Sequence, residues 1–320
     1  MESFIRLIAQ DLIAHYGTNL RDITIVFPNK RAGLFMNQQL AAAADRPVWA
    51  PRYRTISELF DDLSEFTRCD DIAAVCELYN VYAKHVPDPE PLDRFYGWGE
   101  IMLADFDDAD KHLADTGKLF SNIRSIKELE HDNYLTEEQE EALKRVFEGF
   151  SVENNSRLKE KFLRIWERMD NIHAEYNRAL RKKGLLYEGA LYRDVIEHID
   201  ERFDRMRADM TFVFVGFNVL NEVEKKLFHY LQEKGRARFY WDYDVMYVHR
   251  HAHFEAGTFI RQNLKDFPNA LPEDCYDNLT EGKQIEMIAT NSENAQARYI
   301  PQWLDTALTE PEQDTAIVLC

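Results

Sequence analysis

Two short runs of β-branched and aromatic residues each feed a segment with helical spacing of its apolar positions. Ile23-Thr-Ile-Val-Phe27 leads through Pro28-Asn29 into a helix to about residue 44, and Thr211 to Phe217 leads into a helix from Asn221. A short buried strand followed by an amphipathic helix is the repeating unit of a parallel α/β sheet. Apolar residues at helical spacing also mark residues 2–16, which stop at Tyr16-Gly17. Pro47 and Pro51 bracket an extended stretch, and Thr55-Ile-Ser-Glu58 has the spacing of a capping box.

From residue 56 to about 208 the pattern predicts no strand. It predicts helices over 56–67, 70–85, 93–106, 108–128, 136–149, 156–183 and 187–207, broken at 87–91 and 152–156. The sheet is expected to resume at 211–217, with a helix over 222–234 and a strand over 236–241. A helix over 255–266, a strand over 284–290, a helix over 292–308 and a strand over 314–320 complete the prediction. A closing strand with nothing after it suggests a boundary inside a larger architecture. The expected organisation is a sheet domain in two parts, 1–55 and 209–275, split by an all-helical insertion at 56–208. Residues 284–320 would start a second α/β lobe.

Composition narrows the class. The apolar share is 45% of 320 residues, ordinary for a globular chain, and no apolar run approaches the roughly 20 residues of a membrane span. The N-terminus lacks the features of a signal peptide, so a cytoplasmic location and no membrane partner are expected. Cys69, Cys76, Cys275 and Cys320 form no CxxC pair and read as free thiols. The formal net charge is −18, which argues against general coating of nucleic acid. The charge is uneven, however: residues 1–54 hold seven bases against four acids, whereas 58–115 hold sixteen acids against four bases. An acidic chain with one basic region can bind phosphates locally.

Ligands on parallel sheets gather at the carboxyl ends of the strands, so the two strand–helix turns are the places to look for chemistry. Neither carries nucleotide-hydrolysis residues. There is no GxxxxGK[ST], and Pro28-Asn29-Lys30-Arg31 lacks the glycines whose amides cradle phosphates. The second strand ends in Gly216-Phe217, where acidic residues would be needed for Mg²⁺. No catalytic residue and no cofactor is therefore expected. His249-Arg-His-Ala-His253 alternates three imidazoles but has no accompanying acid or thiol pattern, and reads as a loop. Asp105-Phe-Asp-Asp-Ala-Asp110 resembles the opening of a calcium loop, without its central glycine and with Thr116 at the twelfth position. No GxSxG elbow occurs. The better cluster is basic and aromatic: Asn29, Lys30, Arg31, Arg52, Tyr53 and Arg54 near the first strand's exit, with Tyr240, Trp241 and Tyr243 at a later one. Cations for phosphates beside aromatic faces for bases suit single-stranded nucleic acid. Core aromatics with surface arginines are the equally open structural reading.

The order of parts resembles a known family. Ile23-Thr-Ile-Val-Phe-Pro-Asn-Lys-Arg-Ala-Gly-Leu-Phe35 is similar to the superfamily 1 helicase motif that follows the P-loop helix and touches single-stranded DNA. Val213-Phe-Val-Gly-Phe-Asn-Val-Leu-Asn-Glu-Val-Glu-Lys225 looks like a Walker B strand and its helix, with Gly216-Phe217 in place of the acidic pair. Phe239 to Asp244 looks like the following helicase strand, and Asn291 to Ile300 like the start of a second RecA-like domain. Together they resemble AddB-type subunits of bacterial helicase–nucleases, more distantly RecC, in a form with a degenerate helicase core. The resemblance implies an α/β, RecA-like parallel sheet with a large helical insertion and the start of a second lobe. It implies an ATPase-inactive DNA-binding scaffold in double-strand-break repair, working beside a helicase subunit of the AddA type. The parent protein would end in a PD-(D/E)XK exonuclease domain that these 320 residues do not include. Single-stranded or duplex-end DNA would meet Asn29, Lys30, Arg31 and Arg54 through phosphates and the strand, and Trp241 or Tyr243 through a stacked base. The alternative is a protein-interaction module whose acidic helical insertion docks a helicase partner without contacting DNA.

Overall fold

A computed structural model of the chain describes residues 3–120, 165, 168–250, 254–272, 277, 279, 282, 285–307 and 315–318. The expected helix at 136–149, much of those at 108–128 and 156–183, and the imidazoles beyond residue 250 lie outside the described residues.

The centre is a four-stranded, all-parallel sheet. Its strands are β1 (Ile23–Phe27), β2 (Arg52–Thr55), β5 (Thr211–Val215) and β6 (Ala237–Tyr240), in the order β2-β1-β5-β6. The α/β expectation holds, with β1, β5 and β6 at the predicted places, while β2 starts just after the extended stretch expected between Pro47 and Pro51. Alternation sorts the side chains. Ile23, Ile25, Phe27, Val213, Val215 and Tyr240 pack beneath α1 (Phe4–Tyr16) and α2 (Arg31–Ala43). Val26, Phe212, Phe214 and Phe239 face the opposite way, into one core shared with the helical insertion. Both faces are thereby covered, as a parallel sheet requires.

Between β2 and β5 the chain builds α3 (Ile56–Leu63), α4 (Asp71–His85), α5 (Leu92–Lys111), α6 (Met169–Lys182), α7 (Glu188–Glu197) and α8 (Ile199–Asp204). The Thr55 hydroxyl accepts from the Glu58 amide and the Glu58 carboxylate from the Thr55 amide, so the predicted capping box opens α3. Asp70 caps α4 through the amides of Ile72 and Ala73. The α5 and α7 backbones meet where Gly189 has no side chain: a Cβ there would lie 2.4 Å from the Asp107 carbonyl oxygen. A two-stranded parallel ladder, β3 (Thr67–Arg68) with β4 (Leu185–Leu186), corrects the expectation of a strand-free block. The acidic stretch from Asp105 to Asp110 lies within α5 rather than in a loop.

After β5, the helix α9 (Glu222–Glu233) starts at a second capping box, Asn221 with Glu224. β6 follows, then α10 (Thr258–Asp266). Residues 246–250 form a π-helical turn rather than an extended run, so His249 does not sit in the alternating geometry of a strand. The edge of β6 is covered by the Phe239–Asn269 bridge, whereas among the described residues β2 pairs only with β1.

The chain divides into two units, Met1–Asp277 and Asn278–Cys320. The sheet and the helical insertion belong to the first. The second contains α11 (Glu293–Ala307). Its segments 285–290 and 315–318 were expected as strands but carry no strand structure, with Ile285, Met287, Ile317 and Val318 exposed. A β-strand is defined by a hydrogen-bonded neighbour, and among the described residues neither segment has one.

Candidate nucleic-acid interface

The chain leaves β1 toward β2 on one side and leaves β5 toward β6 on the other, so connections diverge between β1 and β5. That is the topological switch point, where parallel sheets place their ligand crevice. Two turns flank it: Pro28-Asn29-Lys30 after β1, and Gly216 to Asn221 after β5. Gly216 has φ +72°, a left-handed conformation costly for other residues, and its amide donates to the Tyr240 carbonyl at 3.0 Å. The Asn263 side-chain Nδ2 donates to the Asn218 carbonyl at 2.6 Å and ties the second turn to α10.

The first turn is polar and open. Asn29 Oδ1 accepts from the Ala32 amide at 3.3 Å, so its side chain braces the start of α2. Lys30 Nζ lies 2.8 Å from Glu58 Oε1, with its side chain 78% exposed. The hydrogen bond from Lys30, then that from the Thr55 amide, holds the Glu58 carboxyl below its ordinary range. Arg31 is exposed, without a side-chain partner among the described residues. The first turn of α2 holds no acid. Lys30 and Arg31 therefore stand at the positive end of a helix dipole, where a cation costs about 0.3–1 kcal/mol and an anion is favoured. On the same outer face, Leu34 and Phe35 are 71% and 57% exposed.

The other predicted contacts divide. Arg54 Nε donates to Asp62 Oδ2 at 2.7 Å and Arg54 Nη1 donates to the Tyr53 carbonyl at 3.1 Å, so α3 has already neutralised it. The hydrogen bond to Asp62 also raises the Arg54 pKa, fixing its charge to that partner. Tyr53 lies under α2, against Gly33, and burial pushes its hydroxyl up to about 12. Arg52 is exposed and has no ion-pair partner among the described residues.

Trp241 corrects the base-stacking assignment. It is 1% exposed, stacks on Phe239, and donates its indole N–H to the Phe267 carbonyl at 2.8 Å. An indole sealed in this way has no face for a base. Tyr240 is also buried, and its hydroxyl donates to Asp11 on α1, with Arg238 joining the same carboxylate at 2.7 Å. Tyr243 is half-buried against both cores. Asp242, beside it, keeps contact with solvent, yet its surroundings are dry enough to raise its carboxyl pKa.

Of the six predicted residues, Asn29, Lys30 and Arg31 thus form one open turn, Arg54 is tied to α3, Trp241 belongs to the core, and Tyr243 is half-buried beside it. The sequence marked Glu58 only as part of a capping box and did not mark Asp62, so their pairing with Lys30 and Arg54 was missed. Both lie on the helix that the recognised cap opens, which was the available signal.

No protein-family model matches this chain, and no curated protein matches it either. Among the described residues, no helix is long and apolar enough to cross a membrane.

Proposed function

We propose that the chain is an ATPase-inactive, helicase-like scaffold that guides DNA in a double-strand-break-processing helicase–nuclease. Its phosphate contact would be the turn before α2. One observation carries this reading: α2 opens with Lys30 and Arg31 at the positive end of its dipole, with no acid in its first turn, at the sheet's switch point. That arrangement opposes helix stability and favours a bound anion. The absence of P-loop glycines argues for binding without turnover by this chain. Arg31 is the central phosphate contact, Lys30 joins when released from Glu58, and Asn29 positions the turn. The partner helicase subunit of the AddA type and the nuclease domain of a longer parent belong to the same proposal.

Anisotropy titration with single-stranded and duplex-end DNA at two salt concentrations tests it. Salt-sensitive binding that Arg31→Glu abolishes is the expected result. Salt-insensitive or absent binding at low salt would favour the docking-module reading instead. That second reading draws support from Ile72 on α4 and Ile101 on α5, both exposed in the acidic insertion.

A further inference from the structure

A second basic surface lies at the other end of the sheet. The segment between α2 and β2 continues the β1–β2 pairing toward the amino edge through the Asn19–Trp49 bridge. Trp49 donates its amide to the Thr18 carbonyl at 2.8 Å, and its own carbonyl accepts from the Leu20 amide at 3.0 Å. The backbone of this strap is therefore fixed, while the Trp49 side chain is 60% exposed. The guanidinium of Arg21 sits 3.7 Å from the centre of the indole and covers one face. Large aromatic side chains are usually buried, and this one is held flat against a cation instead.

Arg21, Arg46 and Arg52 form no ion pair among the described residues, whereas Arg54, Arg68, Arg181, Arg202 and Arg207 all do. The nearby Asp22 is engaged by Arg207 at 2.9 Å. Asp45 is the one acid of the strap, and it borders an open groove of about 380 Å³ between the strap and α2. Asn37, Ala41, Ala44, Arg46, Val48 and Ala50 line that groove. An exposed indole on an anchored backbone, with Arg21 on one face and unpaired Arg46 and Arg52 three residues to either side in sequence, offers the two elements that take stacked bases and the phosphates between them. An acidic peptide would satisfy the arginines and leave the aromatic face unused.

We infer that this strap binds single-stranded nucleic acid, with Trp49 stacking a base and Arg46 and Arg52 holding flanking phosphates. The inference rests on the nucleic-acid reading above but places a contact where the α2 turn does not reach. The five residues of β1 separate the two ends by roughly 16 Å, at about 3.3 Å per residue. A strand bound at both would run across the α2 face or around the open edge at β2.

The test is anisotropy titration of the full chain with a labelled oligo-dT, comparing the parent with Trp49→Ala, Trp49→Phe, Arg46→Glu/Arg52→Glu and Arg31→Glu, with circular dichroism confirming that each is folded. Trp49→Ala should weaken binding at least about fivefold, the lower end for one stacked base, and Trp49→Phe should restore most of it. The double arginine variant should reduce the salt slope by about 1.4, two single-strand phosphate contacts. If Trp49→Ala and the arginine variant bind like the parent while Arg31→Glu fails, the inference is lost and the α2 contact stands. The converse pattern keeps the strap and removes the α2 contact. A parent that binds no oligonucleotide at low salt removes both. Polyglutamate binding more tightly, with the same sensitivity to Arg46 and Arg52, would assign the strap to an acidic protein partner and overturn the inference.

Discussion

Glu58→Gln should strengthen DNA binding, because Glu58 holds Lys30 in a pair at 2.8 Å. The glutamine side-chain carbonyl can still accept from the Thr55 amide, where the carboxylate does so at 2.9 Å, so the cap on α3 survives. With Lys30 78% exposed, the lost ion pair costs stability about 0–1 kcal/mol. The freed cation adds one phosphate contact, which steepens the single-strand salt slope by about 0.7. Over a fourfold change in salt, from about 50 to 200 mM, the advantage of Glu58→Gln over the parent should shrink by about 2.6-fold. Lys30→Ala should do little in the parent and should erase the gain in Glu58→Gln, a coupling that a double-mutant cycle measures directly. Acid reproduces the release only late. The Glu58 pKa is lowered, so the pair is complete above the ordinary carboxylate value of about 4.3 and is lost as pH falls through the lowered one. Identical salt slopes for Glu58→Gln and the Lys30→Ala/Glu58→Gln double variant would refute a phosphate role for Lys30.

Three further outcomes follow from the core. Trp241→Ala should destabilise by about 3–5 kcal/mol in urea unfolding while leaving the DNA affinity of the folded fraction unchanged, since the indole is a packing element. Asp194→Ala should cost roughly 3–5 kcal/mol, because its buried carboxylate accepts from Arg181 at 2.6 Å and from the buried Arg202 at 2.9 Å; a cost below 1 kcal/mol would show that the guanidinium groups find other partners. Glu224→Gln should keep the α9 capping box and stabilise at neutral pH by less than a typical cap, about 1 kcal/mol. Burial raises the Glu224 pKa, so the parent gains stability relative to this variant as pH falls through that raised value; thermal melts at pH 7 and pH 5 should show the gap closing.

Where hydrophobic pattern and a local stop or start signal coincide, the elements could be read in advance. Ile23–Phe27, Thr211–Val215 and the Asn221 and Thr55 capping boxes are such places. β2 escaped because Arg52-Tyr-Arg-Thr sits on an edge, with one neighbour strand and half-exposed side chains, so it lacks the apolar run of a central strand. Trp241 misled because its sealing residue, Phe267, comes 26 positions later, on a segment no local pattern connects to β6. The buried polar cluster in the insertion was equally hidden. His173 Nε2 lies 3.2 Å from Asp110 Oδ2 and 2.9 Å from the Tyr187 hydroxyl, with Arg193 at 3.0 Å from the same aspartate. These residues come from α5, α6, the start of α7 and α7 itself, and only tertiary packing brings them together.

The same limitation applies to charge, and it bears on how DNA would approach. Counting side chains gives −18 and argues against a polyanion partner. Pairing changes that conclusion, because many basic groups of the insertion are already spent on carboxylates: Arg68 on Asp61 and Glu188, Lys111 on Asp107 and Glu188, Arg202 on Asp194 and Glu65. Among the described residues, Arg21, Arg31, Arg46 and Arg52, around the sheet's open side, are not. Unpaired charges act at contact distance, whereas repulsion from the acidic insertion is screened beyond about 8–10 Å at physiological salt. Lowering the salt strengthens both the phosphate contacts and that repulsion. The observed salt slope should therefore be shallower than the number of contacting arginines predicts, and neutralising exposed acids of the insertion, such as Asp93 and Glu100 on α5, should steepen it without adding a contact.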